Sequence, residues 1–502
     1  MSSDDPIPHG MPRRDASNRP GPAGSPRSTH RVPPRFFLCL ALLTGAPASR
    51  AQERALSLED VTIIDGTNRP PLQNASILIR DGRVAAVGPN GTIPRPPQVE
   101  TRHLPRRYVI PGLIDMHAHV TIFIAEEADG GPSEYRYDRR VSEKVLQTLL
   151  AFGITTVRNP AAPAVEGVRL RDDVAAGRVT GPRIFTSGEA IDHFRGRPGP
   201  FVYVESERDV QSEIRRQARL GVDLIKLYAK LPERLVAAAI REGHAQGLKV
   251  IGHLGETSWK QAADLGIDGL CHGAPWDSAM LPARKRFAYQ SSAKPYLKKR
   301  MDWLEGLDLD SDEIRATILA LVRHGVVVDP TLIAYETKFR SSDPFYLESP
   351  DLTLVPEPLL NLWRHERPPT FGWTKEDHQR ARALWTKLLA FVKLYHDRGV
   401  RLVAGTDVPN PWVVPGASLH RELELLASAG IPLQEVIGMA TKNAADALGI
   451  SGEVGTVEAG KAADLVVLTS NPLKSISNLR DIEYVIQAGR IIDVKSLATN
   501  TY

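Results

Sequence analysis

Residues 54 to 110 alternate apolar and polar positions over short runs, "VTIIDG", "ASILIRDGRVAAVG" and "RYVIPG", separated by Asp-Gly and Pro-Asn-Gly turn signals. Period-two alternation puts every second side chain on one face of a strand, so this segment predicts a small antiparallel sheet. A matching pattern returns in "ADLVVLTSNP" and "EYVIQAGRIIDV". Two strand-rich segments around a different middle predict one composite β-sandwich domain, assembled from residues 52–111 and 451–502.

The middle, residues 112–450, changes period. Short β-branched or apolar runs recur as "ITTVRN" from 154, "RIFTSG" from 183, "LIKLY" from 224, "KVIGHL" from 249, "GLCHG" from 269, "VVVDPTL" from 326 and "RLVAGTD" from 401. Helical stretches such as "SERDVQSEIRRQARLG" and "PERLVAAAIREGHAQG" lie between several of them, each closing on the glycine that stops a helix. With the strand that runs into "VIPGLIDMHAHV", this makes eight strand and helix units, the number that closes a (β/α)8 TIM barrel. Residues 275–320 and 336–380 are polar and aromatic and supply no ninth strand. They are expected to be insertions after strands six and seven, over the mouth where such barrels keep their active sites.

Chemistry enters in "VIPGLIDMHAHV", residues 109 to 120. In an extended chain His117 and His119 point the same way, about 7 Å apart at Cα, which suits two ligands of one metal ion and equally suits two core histidines bonded to nearby backbone. Further candidates fall at the C-terminal ends of the predicted barrel strands: Lys226 in "LIKLY", His253 in "VIGHL", His272 in "LCHG" and Asp407 in "AGTD". Each alone has a structural reading, as a snorkelling lysine, a rim histidine or a loop cap. Together they sit where the strands of a barrel converge on one axis, and that favours a metal centre.

Composition narrows the picture. A chain of 502 residues with 42% hydrophobic and 24% charged residues is globular in character and large enough for a barrel with an attached domain. The formal charge of +4 is carried by the first 51 residues, which hold seven arginines, no lysine and three aspartates and leave 56 basic against 56 acidic residues in the body. A neutral body gives no reason to expect nucleic acid or an anionic membrane as partner. In the same segment Arg31 and Arg35 precede "FFLCLALLTGAPA", and Ser49 and Ala51 occupy the small positions of a cleavage site, so residues 1–51 are expected to be an export signal. The apolar run is too short for a stable membrane span. A matured chain would begin near Gln52, initiation at Met11 is an alternative start, and the protein would be periplasmic or secreted. Cys39 lies inside the apolar run, so Cys271 would be the sole cysteine of the mature chain.

The ordered motifs "PGLIDMHAH", "IKLY", "GHL", "CHG" and "GTD", followed by "SLHRELELLASAGIPLQEVIGMATKNAADALGISGEVGTVEAGKAADLVVLTSNPL", resemble the amidohydrolase superfamily from about residue 55 to 495. Within it the chain looks most like the binuclear branch of imidazolonepropionase-related hydrolases and Xaa-Pro and Xaa-Arg dipeptidases. The resemblance implies that His117, His119 and Asp407 hold one divalent cation and His253 and His272 the other. Lys226, carbamylated by carbon dioxide, would bridge them together with a hydroxide. Zn²⁺ suits the donors best, with Mn²⁺, Co²⁺ and Fe²⁺ also compatible. Asp407 would act as the general base.

Around this centre the expectations are substrate contacts. Tyr228, two residues past Lys226, could donate to the developing oxyanion or simply pack. His193, Arg195 and Arg197 lie in a loop after strand three that could clamp a carboxylate, although a solvated basic loop is the plainer reading. His420 follows strand eight and could reach the pocket or merely start a helix, and Trp276, Tyr335, Trp363 and Trp412 could line an apolar wall or pack beneath it. The expected activity is hydrolysis of amide bonds in a small-molecule substrate, a dipeptide or an N-acyl amino acid. A cyclic-amide hydrolase or deaminase of the same fold and a non-catalytic scaffold are the alternatives. A homo-oligomer is compatible with the sequence.

Overall fold

The computed structural model describes residues 55–126, 134–195, 199–365 and 373–499. The expected export signal, with Cys39, and the loop residue Arg197 lie outside the described residues.

The two strand-rich segments meet in one seven-stranded sheet, in the order Arg490–Ile492, Ile482–Gln487, Leu465–Leu468, Glu100–Pro111, Leu56–Ile63, Leu72–Arg80, Arg83–Pro89. The sheet is mixed rather than antiparallel throughout, because Leu56–Ile63 pairs parallel with Glu100–Pro111. The physical reason is the route of the chain. The hairpin Leu72–Arg80 and Arg83–Pro89 occupies one side of the first strand, so the next strand comes back along its other side in the same direction. Alternation also explains why "DLVVL" reads as a continuous apolar run. Leu465 and Val467 pack in the sheet's own core with Val109, whereas Val466 and Leu468 pack with Ile110 in the barrel's core.

Eight parallel strands form the barrel: Leu113–Asp115, Ile154–Asn159, Arg183–Thr186, Leu224–Leu227, Lys249–Gly252, Gly269–Cys271, Val327–Asp329 and Arg401–Leu402. Neighbours pair in parallel within the first three and within the last five. Bridges from Ser187 to Leu224 and from Ala118 to Val408 close the ring, the second reinforced by the His119 amide donating to the Val408 carbonyl at 2.8 Å. These are the eight segments expected from the periodicity. The returning helices carry the caps their sequences encode. In Glu207–Leu220, Ser206 and Asp209 form a capping box and Gly221 ends the helix with φ 88°.

Two groups of extra helices stand over the C-terminal mouth. After the sixth strand come Ala283–Gln290 and Tyr296–Gly306, and after the seventh come Leu332–Phe339, Pro344–Leu347 and Glu357–His365. The barrel's own returning helices, Asp312–Arg323 and Lys375–Asp397, begin inside the ranges 275–320 and 336–380 expected to be insertion, so the inserted parts end earlier than their polar composition suggests. No helix among the described residues is long and apolar enough to cross a membrane.

Candidate active site

The barrel closes where its chemistry sits. Strand one continues past Asp115 into His117 and His119, and strand eight continues past Leu402 into Thr406 and Asp407. The two are tied by the Asp407 amide donating to the His117 carbonyl at 2.7 Å. Asp115 adds a second tie. Its carboxylate accepts from the His117 amide at 3.0 Å, the Thr406 amide at 3.1 Å and the Thr406 hydroxyl at 2.7 Å. Gly405 permits the approach, since a Cβ there would lie 2.8 Å from the Cβ of His117. As a result His117 Nε2 and His119 Nε2 converge on Asp407 Oδ1, at 3.3 and 3.2 Å.

The remaining expected ligands face the same cavity. His272 lies with its ring 4.8 Å from that of His117 and 4.4 Å from that of His253. Its Nδ1 is 4.0 Å from Asp407 Oδ2 and shares a 2.8 Å hydrogen bond with Thr331 Oγ1. Lys226 is buried at 1% exposure, and its amine lies 2.9 Å from the Cys271 sulfur. Burial pushes the Cys271 thiol up to about 11, so it stays protonated beside the lysine. His272, Thr331 and Asp407 all have positive φ, at 72°, 48° and 63°. Non-glycine residues seldom hold that conformation unless the surroundings impose it, and such strain gathers at functional sites.

Beneath His117 lies a support that sequence inspection did not single out. Its Nδ1 donates to Asp329 Oδ1 at 2.8 Å, which fixes the tautomer and leaves Nε2 with a lone pair directed at the cavity. Arg158 in turn donates to Asp329 Oδ2 and to the Met116 carbonyl, each at 2.6 Å. Asp329 ends strand seven and Arg158 lies near the end of strand two, the same kind of position as the other candidates, so the signal was available. Burial drives His117 and His272 well below the usual imidazole range, and both rings are therefore neutral. Burial also acts to raise the Asp407 carboxyl, but the hydrogen bond from His119 Nε2 and the nearby Lys338 ammonium favour the anion, and the carboxyl is held at about 2.

The cavity has a volume of about 370 Å³, and its floor consists of His117, His119, Lys226, His253, His272 and Asp407. Tyr228 lines it beside His253, with ring centres 4.7 Å apart. Of the expected aromatic wall, Tyr335 and Trp363 line the cavity, while Trp276 packs behind Tyr335 at 5.6 Å and Trp412 behind Trp363 at 5.9 Å. The expected loop clamp is elsewhere. Arg195 has a side chain 71% exposed, pairs with Glu205 at 2.9 Å and stacks on Tyr203, and His193 bonds the Val204 carbonyl. His420 is turned away as well, buried at a helix start with Nε2 bonded to the Phe152 carbonyl at 2.9 Å. Besides Lys226, the basic side chains that face the cavity are Arg300 and Lys338, one from each inserted group of helices. The wall helix Leu332–Phe339 is fastened to the helix after strand eight. The Ile333 amide donates to the buried Glu422 carboxyl at 2.7 Å, and Arg421 grips Glu336 at 2.7 and 2.9 Å. Burial pushes Glu422 up to about 8.

The donor set fits divalent cations. Four imidazoles and an ionised carboxylate share one buried floor, the two buried rings are neutral, and His117, His272 and Asp407 place donor atoms within 4.8 Å of one another. Comparison with known proteins agrees with this chemistry. The family model described as "Amidohydrolase family" matches residues 108–494. An imidazolonepropionase of Maricaulis maris (strain MCS10) is 25% identical over 427 residues, covering 79% of this chain and 87% of the relative. Among solved structures, bottromycin amidohydrolase superposes with a TM-score of 0.67 at 24% identity, covering 89% of each chain. A Xaa-Pro dipeptidase with methionine bound in its active site superposes with a TM-score of 0.63 at 20% identity, covering 87% of this chain and 99% of the other. With a family match across most of its length and that family's donor types gathered at the barrel mouth, the chain belongs to the amidohydrolase family and is a hydrolase of carbon–nitrogen bonds.

Proposed function

We propose that the protein hydrolyses the amide bond of a dipeptide or an N-acyl amino acid, using two divalent cations, with zinc the best match to the imidazole and carboxylate donors. The observation that carries the reading is the meeting of His117, His119, Lys226, His253, His272 and Asp407 in one cavity, from five different strand ends. His117, His119 and Asp407 would hold one cation and His253 and His272 the other, with the carbamate of Lys226 between them. Bound there, such cations polarise the scissile carbonyl and activate water at neutral pH.

The chain's own residues supply the rest. Asp407, ionised and directed at the floor, takes a proton from the attacking water and returns it to the leaving nitrogen. The Tyr228 phenol is in reach of the floor beside His253 and donates to the carbonyl oxygen as it gains charge. Lys226 adds carbon dioxide as the free amine, forming its N–C bond with loss of one proton. The presence of this lysine argues against a deaminase, whose one-metal centres need no bridge. Hydrolysis of a cyclic amide is the second reading, favoured by the imidazolonepropionase relatives.

The test is Lys226→Ala with metal analysis and a panel of dipeptides and N-acyl amino acids. The variant should lose most activity and regain part of it with short carboxylic acids that occupy the vacated bridge. Lys226→Arg should not be rescued. Activity in Lys226→Ala equal to the parent's would exclude the lysine from the centre.

A further inference from the structure

We infer that the substrate carries a large apolar side chain on one of the two residues flanking the scissile amide, seated in a subsite built by Phe123, Leu359, Leu362 and Trp363. The inference rests on the amide-hydrolase reading above and names the substrate class within it.

Two elements build the subsite, each through its own periodicity. His117, His119, Thr121 and Phe123 are alternate positions along one stretch of chain, and all four line the cavity. The series therefore passes from two imidazoles on the floor, through a hydroxyl, to a phenyl ring on the wall. Leu359, Leu362 and Trp363 stand at i, i+3 and i+4 of the inserted helix Glu357–His365, which gathers them on one helix face, and they line the same cavity. That helix packs against the strand Phe123–Glu126, so the apolar face lies beside the phenyl ring.

Burial separates a backing from a contact surface. Leu359 and Trp363 are each 1% exposed. Trp363 is further fixed by its indole N–H, which donates to the Pro409 carbonyl at 3.1 Å, and by Trp412 behind it. Phe123 and Leu362 are only half-buried, although both line the cavity. Apolar surface held in place against a firm backing is covered favourably by an apolar group that displaces water from it. An aromatic ring would gain a further edge or offset contact with Phe123.

The charged part of the wall does not single out an occupant in this way. Lys338 donates to the Ala334 carbonyl at 2.9 Å, and the Arg300 guanidinium stacks 4.7 Å from the centre of the Trp276 ring. The cavity volume of about 370 Å³ lies near the lower end of the range of about 300 to 1,000 Å³ for small-molecule sites. One large side chain beside the amide suits that size.

The experiment uses the metal-loaded full chain with two dipeptide series, Xaa-Gly and Gly-Xaa, in which Xaa is Ala, Leu or Phe. In one series kcat/KM should rise by about 10- to 100-fold from Ala to Phe, with Leu between. Leu362→Gln should remove most of that rise, chiefly through KM, and Leu362→Trp, which fills the subsite, should abolish it. Flat rates across both series in the parent, or an unchanged Phe-to-Ala ratio in the Leu362 variants, would overturn the inference. Should either Leu362 variant not fold, as judged by circular dichroism, Phe123→Ser decides in the same way. If no peptide is hydrolysed, the amide-hydrolase reading fails while the subsite is still judged by calorimetric binding of the same peptides. Tighter binding of the Phe member that weakens in Leu362→Gln supports the subsite, and equal binding of the Ala and Phe members overturns it.

Discussion

The floor and the wall of the cavity are built from different materials. Floor residues sit at the ends of hydrogen-bonded strands, so each position follows from strand pairing, and a single contact such as the Asp407 amide to the His117 carbonyl sets two candidate ligands at once. Wall residues sit on helices inserted between barrel units, held by packing such as Trp303 against Phe391 and by ion pairs such as Arg421 with Glu336. The floor is constrained in common with every barrel that closes this way. The wall can be rebuilt without opening the barrel. Under the proposed function the reaction belongs to the floor and selectivity to the wall, so changes in the two should fail differently.

The largest effect is expected at Asp407. Asp407→Asn keeps an oxygen facing the imidazoles but cannot accept a proton, so it should retain much of its metal and lose about 10² to 10⁴ in turnover. Elemental analysis beside steady-state kinetics reads both quantities. A variant with full metal content and turnover within a few-fold of the parent would remove the proton shuttle from the floor.

A smaller loss is expected beneath the floor. Asp329→Asn weakens the partner that fixes the His117 tautomer and leaves Arg158 without its carboxylate, so metal affinity should fall about 10- to 100-fold. Competition against a chelator measures this directly. An affinity equal to the parent's would mean that backbone ties alone orient His117.

The smallest effect concerns the wall and stability. Folded Glu422 holds its proton up to about pH 8, whereas the unfolded chain releases it near 4.5, so between those values the folded state binds more protons and stability falls as pH rises. The buried histidines act in the opposite sense, but only below their ordinary value of 6.5. From pH 6.5 to 8 the melting temperature of the metal-free protein should therefore decline, and Glu422→Gln should flatten the decline. An identical slope in the variant would show that Glu422 is ionised in the folded state.

The floor was legible in the sequence for the same reason that it is constrained. Strand ends can be found by periodicity, and a barrel brings them together whatever their separation in the chain. All eight strands and the six floor residues follow from that rule. Asp115 and Asp329 obeyed it too, Asp115 even sharing the alternation of His117 and His119, but a carboxylate at a strand end was not read as a support for its neighbour. Arg300 and Lys338 escaped for a different reason. Nothing in "PYLKKRMDWLEG" or "LIAYETKF" distinguishes the cation that turns inward from those that stay in solvent, because that choice is made by aromatic packing between insertions. Arg195 took the plainer of its two readings, a solvated loop charge, and loop charge without packing information could not have decided between them.

The strand Glu100–Pro111 leads directly into the histidine-bearing strand, and along its length it pairs with Leu56–Ile63 on one side and Leu465–Leu468 on the other. Its second partner is synthesised only after the whole barrel has been translated. A nascent chain can therefore gather every floor residue and still lack the strand that braces the segment leading to His117 and His119.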